Sequence, residues 1–410
     1  MTDDRSIVAR AGGWPPGSGT RVPALDGLRG IAILLVVVFH HTLMRQETLF
    51  DRIYVNLARL GWTGVDLFFV LSGFLITGLL YDTRSGPHYY RTFYVRRVLR
   101  IFPLYYLFLV YVLHIAPALW PDTPLAEMAR RAMAERSEAW YWLYLQNLPF
   151  ALDGTLGHPN LAVTWSLAIE EQFYLLWPLV IASGSRRSLM WTTGALMIAA
   201  PAIRVALVAG GAHWVTPYVL PFARMDALAA GAFVALAMRG GPEAASRLRA
   251  AARIVAAAAA AALLAIWYLE DPLDNGDQTE PLMLTAGCSV LAIGFAAVVA
   301  IVAGAPTDSP AARVLGSRPL RALGRYSYAL YLFHVPIRRW IRDEYFPVAE
   351  FPTLLGSPFP GQLLFYLVAT GPALLLAWVS WHVYEKQWLK LTRFFPYDPG
   401  PRTSPSSRVD

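Results

Sequence analysis

The sequence predicts an all-α integral membrane protein, with about ten transmembrane helices bundled around a polar cavity and both termini cytoplasmic. Three observations carry that expectation: too little charge for a soluble surface, recurring apolar runs of membrane-crossing length, and an uneven distribution of arginine. Of 410 residues, 56% are hydrophobic and 15% charged, and the mean hydropathy is +0.41. A soluble domain carries roughly 25% charge, so a soluble enzyme is not the default. A disulfide scaffold is excluded, because Cys288 is the single cysteine and reads as a small core residue.

Residues 1–20 combine Gly, Pro and charge without an apolar run, which predicts a flexible cytoplasmic tail and not a cleaved signal peptide. Residues 21–390 form the membrane domain. Apolar runs lie near 25–44, 62–81, 101–116, 161–183, 188–210, 218–238, 252–269, 281–304, 322–345 and 362–383, and about 20 residues of helix cross the roughly 30 Å of hydrocarbon. The shorter run Trp140–Phe150, crowded with Tyr141, Trp142 and Tyr144, suits an interfacial or re-entrant segment. Residues 391–410 read as a disordered cytoplasmic tail.

If the chain alternates across the bilayer, 23 of its 35 Lys and Arg residues fall on the side of the N-terminus and 9 on the other, with Arg29, Arg204 and Arg224 inside spans. The positive-inside rule then places both termini in the cytoplasm of a multi-pass protein of the plasma (inner) membrane. The net charge of +7 becomes a topology signal, and nucleic acid is not an expected partner.

Ionisable groups inside a span cost about 2.5–3.5 kcal/mol on insertion scales and are functional candidates by default. Arg29 and His40 lie within about 20° of one helical face, about 16 Å apart along the axis. Asp26 is close to the same stripe, whereas His41 points away. His40 reads as an interior residue or as an anchor for the outer end of its helix. Asp66, on the antiparallel second run, reaches the depth of His40 and could orient its imidazole, or serve Arg59 or Trp62 as a structural partner.

Ser166, Glu170 and Tyr174 share a face, which makes Glu170 the cavity carboxylate and leaves Glu171 to pair with an arginine. Arg224 and Asp226 point apart, and one of them is expected to hold Glu170 or Glu171. His334 sits in mid-membrane, just before Pro336. Arg96, Arg97 and Arg100 cluster before the third run, suited either to phosphates or to anchoring on anionic lipid. No metal site is expected, since there is no thiolate cluster and no His pair at i, i+4.

The segments Leu25 through His40, Gly64–Phe74, Tyr94–Pro103, Trp165–Trp177, Arg224–Asp226 and Tyr326–His334 resemble, in order, the membrane acyltransferase-3 family over roughly residues 21–390. The resemblance implies transfer of an acyl group, commonly from acyl-CoA, to a hydroxyl of a hydroxylated glycan, glycolipid or glycosylated small molecule such as a macrolide. Its arginine-ten-residues-histidine motif matches Arg29 and His40. It implies a catalytic His40, a site carboxylate at Glu170, and donor contacts from Arg97 and Arg100.

The fused soluble esterase-like domain of some members is expected to be absent. With no bound cofactor and acyl-CoA as co-substrate, His40 is expected to act as general base, with Asp66 or Glu170 steadying its ring and Arg96 assisting the donor. An acyl-histidine intermediate is the competing chemistry. Arg224, His334 and backbone near Pro336 are open as oxyanion donors. The rival class is a transporter or lipid-linked-sugar translocase using the buried charges for coupling, although no inverted repeat is visible.

Overall fold

The computed structural model describes residues 22–123, 126–128, 130, 131, 136–270 and 279–398. The predicted tail 1–20 and residues 399–410 lie outside them. The described elements are helical apart from an isolated bridge between Leu354 and Ser357. The principal helices are α1 (Pro23–His41), α2 (Leu49–Arg59), α3 (Gly64–Thr83), α4 (Tyr89–Val110), α5 (Thr164–Ser183), α6 (Arg186–Ala209), α7 (Pro221–Ala237), α8 (Pro242–Leu269), α9 (Cys288–Ala303), α10 (Arg318–Glu344) and α11 (Phe359–Ser380).

Each of the ten predicted apolar runs forms a helix. Among the described residues, eight helical stretches are long and apolar enough to cross a membrane. Helices α5 and α10 have the length but fall outside those eight. Glu170, Glu171 and Gln172 dilute the first, and arginines at both ends dilute the second.

The stretch 140–150 is no span. It breaks into two short helices, Ala139–Trp142 and Asn147–Asp153, with Tyr144 between them at a positive φ of 55°. Helix α2 was not anticipated. Thr48 and Asp51 cap it reciprocally, and it exposes Leu49, Phe50, Ile53 and Leu57 at the His40 end of the bundle.

Lipid tails are as apolar as leucine, so helices in a membrane associate through close backbone packing. Gly73 of α3 lies against the Leu228 carbonyl of α7, and Gly231 of α7 against the Val70 carbonyl of α3. Helix α1 is held the same way: Gly30 meets the Leu320 carbonyl of α10, and Gly64 of α3 meets the Ala32 carbonyl. A Cβ at any of these four glycines would collide with backbone, which locks α1, α3, α7 and α10 at short separation.

The expected disorder from residue 391 is corrected for 391–398. Arg96 donates from Nη1 to the carbonyls of Thr392 and Phe395, both at 2.9 Å, and its guanidinium lies 4.6 Å from the Tyr397 ring centroid. Arg91 lies 5.3 Å from the Phe395 ring centroid. The segment is strapped onto the start of α4.

Candidate active site

A cavity of about 180 Å³ opens among α1, α3, α4, α5 and α10. Arg29, Arg97 and Arg100 line it together with Ser72, Ser166, Glu170, Tyr174, Tyr328 and Tyr331. The predicted face of α5 is there as a unit, because Ser166, Glu170 and Tyr174 recur at one turn apiece. Ser72 donates to Glu170 Oε1 at 2.5 Å and accepts from the Tyr174 hydroxyl at 3.1 Å. Among the described residues, none of the three arginines has a carboxylate within 4 Å, and Arg97 Nε is buried without a hydrogen-bond partner. The cavity thus gathers more cation than anion, in a form suited to phosphate oxygens.

Tyr331 connects this cavity to the histidines. Its hydroxyl donates to the Val163 carbonyl at 2.9 Å and shares a 2.7 Å hydrogen bond with Ser166, and its ring lies 5.7 Å from that of His334. His334 Nε2 is 3.1 Å from His40 Nδ1. Each ring also faces a carbonyl of its own helix: His40 Nδ1 is 3.0 Å from the Val36 oxygen, and His334 Nδ1 is 3.1 Å from the Leu330 oxygen.

Carbonyls only accept, so these partners assign the Nδ1–H tautomer to both neutral rings. The one hydrogen on His40 Nδ1 is then shared between the Val36 carbonyl and His334 Nε2, and His40 Nε2 is left with a lone pair. That is the arrangement a general base requires.

The end of α1 is fixed by other helices. Arg338 donates to the His40 carbonyl at 2.5 Å, and Gln362 of α11 donates to the His41 carbonyl at 2.9 Å while accepting from the Leu43 and Met44 amides. The last-turn carbonyls, orphaned in any helix, are thus used to set the His40 side chain. His41 is fully buried, 3.0 Å from Thr370 Oγ1 and 3.3 Å from the His334 carbonyl.

Several expected contacts are corrected. Asp66 does not hold the His40 ring; it accepts from Arg224 Nη2 at 2.6 Å, while Arg224 Nη1 donates to Cys288 Sγ at 2.7 Å. Cys288 is therefore a polar partner as well as a packing residue. Arg224 and Asp226 do point apart, but neither holds Glu170 or Glu171. Asp226 is taken by Arg204 at 2.7 Å and by Ser289 at 2.7 Å.

Glu170 does not reach the histidine either, since it belongs to the arginine-lined cavity. Glu171 has no ion pair among the described residues and lies on the side of Tyr106, Tyr144 and Tyr328. Arg96 leaves the donor cluster for the strap at 391–398. Asp26 lies outside the cavity lining, in the first turn of α1, where its carbonyl abuts Gly324.

Sequence reasoning missed Ser72, Arg204, Arg338 and Gln362. Arg338 had a legible signal, three arginines (Arg338, Arg339 and Arg342) within five residues at the end of an apolar run. No group of three or more His, Cys, Asp or Glu placed for a metal occurs among the described residues.

These features define a multi-span helical membrane protein with a cation-lined cavity and a hydrogen-bonded pair of histidines. A family model described as an acyltransferase domain matches residues 22–382. The chain belongs to that family.

Over 373 residues it is 29% identical to the Bacillus subtilis (strain 168) protein named "Putative peptidoglycan O-acetyltransferase YrhL", covering 89% of this chain and 54% of that protein. It is 27% identical over 403 residues to the O-acetyltransferase OatA of Staphylococcus aureus (strain NCTC 8325 / PS 47), covering 92% and 60%. Against the peptidoglycan O-acetyltransferase OatA of Listeria monocytogenes it is 27% identical over 336 residues, covering 77% and 49%. The chain thus spans about half to three fifths of the length of these relatives. No solved structure matches it.

Proposed function

We propose that this protein is an O-acyltransferase that moves an acyl group onto a hydroxyl of a cell-envelope glycan, with His40 as general base. The observation that carries the reading is the His40–His334 pair, which leaves His40 Nε2 with a lone pair, His334 lying about one helical turn beyond Tyr331 of the arginine-lined cavity. The donor is acyl-CoA, its phosphates on Arg97, Arg100 and Arg29 at the cytoplasmic end and its thioester reaching past Tyr331 toward His40. The family match and the names of the relatives support the class of reaction and of acceptor.

In the reaction, His40 Nε2 removes the proton of the acceptor hydroxyl as its oxygen attacks the thioester carbonyl. The positive charge on the imidazole is shared through Nδ1–H with His334. Collapse of the tetrahedral intermediate expels the CoA thiolate, which takes the proton back from His40.

Release of free CoA is measured with purified protein, acetyl-CoA and a peptidoglycan-derived glycan, for wild type and His40→Ala. General-base catalysis contributes about 10²- to 10⁴-fold, so a loss of that size in a monodisperse His40→Ala protein is expected. Turnover retained in the variant overturns the assignment of the base.

A further inference from the structure

Arg338 lies about 6 Å along α10 beyond His334, on the side away from Tyr328 and Tyr331 of the arginine-lined cavity. Its Nη1 is occupied by the His40 carbonyl, and its Nε is shielded from solvent without a hydrogen-bond partner among the described residues. Among the described residues no carboxylate lies within 4 Å of it. Asp343, the nearest acid along the helix, is held by Arg342 at 2.6 Å.

The neighbours add donors and no acceptor. Among the described residues Arg339 has only the Met128 sulfur, at 3.6 Å. His158 is fully buried; its Nδ1 accepts the Asn160 amide at 3.1 Å, so Nε2 carries the hydrogen, and that donor has no partner among the described residues. Burial first, and then the charge of Arg339, push the His158 pKa down to about 4.

A helix C-terminus attracts cations, and interfacial arginines reach toward lipid phosphate. Either explanation serves Arg342. Arg338 instead turns inward and satisfies a last-turn carbonyl of α1 with Nη1 alone, which leaves its Nε unaccounted for among the described residues. With Nη1 taken, the edge left open is Nε–H with Nη2, the fork that matches the two oxygens of a carboxylate.

We propose that Arg338, with Arg339 and His158 behind it, binds a carboxylate carried by the acceptor near the hydroxyl that His40 deprotonates, so that the protein selects acidic glycans. This rests on the acyl-transfer reading and names the acceptor class within it. Arg338 is a specificity-determining residue.

The test uses N-acetylmuramic acid and its carboxamide, which differ at one group: a charged, acceptor-only carboxylate against a neutral amide whose NH2 donates. KM and kcat are measured with acetyl-CoA for wild type, Arg338→Gln and Arg338→Lys, and binding of each sugar is titrated without donor. Wild type is expected to favour the acid by about tenfold in KM and in Kd, a charge-assisted hydrogen bond being worth about that. Arg338→Gln is expected to remove the preference, and Arg338→Lys to restore part of it.

Equal treatment of acid and amide by wild type overturns the proposal. So does an equal rise in KM for both sugars in Arg338→Gln, which would mark a structural role through the His40 carbonyl. Charge discrimination in binding without any turnover in wild type would sink the acyl-transfer reading while sustaining the carboxylate site.

Discussion

Helix α3 borders two groups of charges that are handled in opposite ways. Near its start, Asp66 meets Arg224 in a cluster that continues through Cys288, Ser289, Asp226 and Arg204, where every charge has an opposite partner and all four ions are at most 2% exposed. About 9 Å further along the helix, Ser72 holds Glu170 in a cavity facing Arg29, Arg97 and Arg100, three cations that outnumber this one acid and form no ion pair within 4 Å among the described residues. The first group is closed and ties α3, α6, α7 and α9 together. The second keeps its cations on an open space. Buried ions that are neutralised in place bind helices, whereas ions left unmatched are available to a ligand.

The largest effect should come from breaking the closed cluster. Removing one partner of a buried ion pair costs about 3–5 kcal/mol, because the other charge is left stranded. Arg224→Ala should therefore lower the midpoint of thermal unfolding in detergent sharply, and Asp66→Leu combined with Arg224→Met should recover most of the loss. Equal stability of Arg224→Ala and wild type would break the comparison.

In the open group the same kind of change should act on the ligand. Arg97→Gln or Arg100→Gln should keep or raise thermal stability, since a repulsive cation is gone, and raise the KM for acyl-CoA about tenfold or more, a charge-assisted contact being worth about 1.5–3 kcal/mol. A fall in stability matching that of Arg224→Ala would show the two regions to be alike.

Outside the helices, His158 supplies a pH test. Its pKa is depressed in the folded protein to about 4, so between about pH 6.5 and 4 the unfolded chain binds more protons than the folded one. Stability should fall as pH drops through that window, and His158→Gln should flatten the decline; parallel curves for the two proteins would remove His158 as the cause. The smallest effect is expected at Arg96, where Gln should release the 391–398 strap to proteolysis and cost about 1 kcal/mol. A raised donor KM in that variant would return Arg96 to the cavity.

Much of the site was legible because helical periodicity is strict. The i, i+4, i+8 spacing of Ser166, Glu170 and Tyr174 put them on one face, and that face is the cavity wall. The eleven-residue interval likewise placed Arg29 and His40 along one stripe of α1, with Arg29 in the cavity. Relative depth was legible in part, since Asp66 meets Arg224 and His40 meets His334 from separate helices.

Partnership was not legible. Asp66 and Glu170 were equal candidates for the His40 ring on depth alone, and the ring is met by His334 instead. Arg96 and Arg97 are adjacent in sequence, yet about 100° of helical rotation sends one to the strap and the other to the cavity.

Composition, the lengths of the apolar runs and the ordered motifs determine by themselves that the chain is helical, that it is built for lipid and which family it joins. These are local or one-dimensional properties, summed along a single chain. Which charge meets which was decided only by the tertiary structure. The azimuth of each helix depends on glycine contacts such as Gly73 with Leu228 and Gly231 with Val70, and those contacts exist only once the helices have packed.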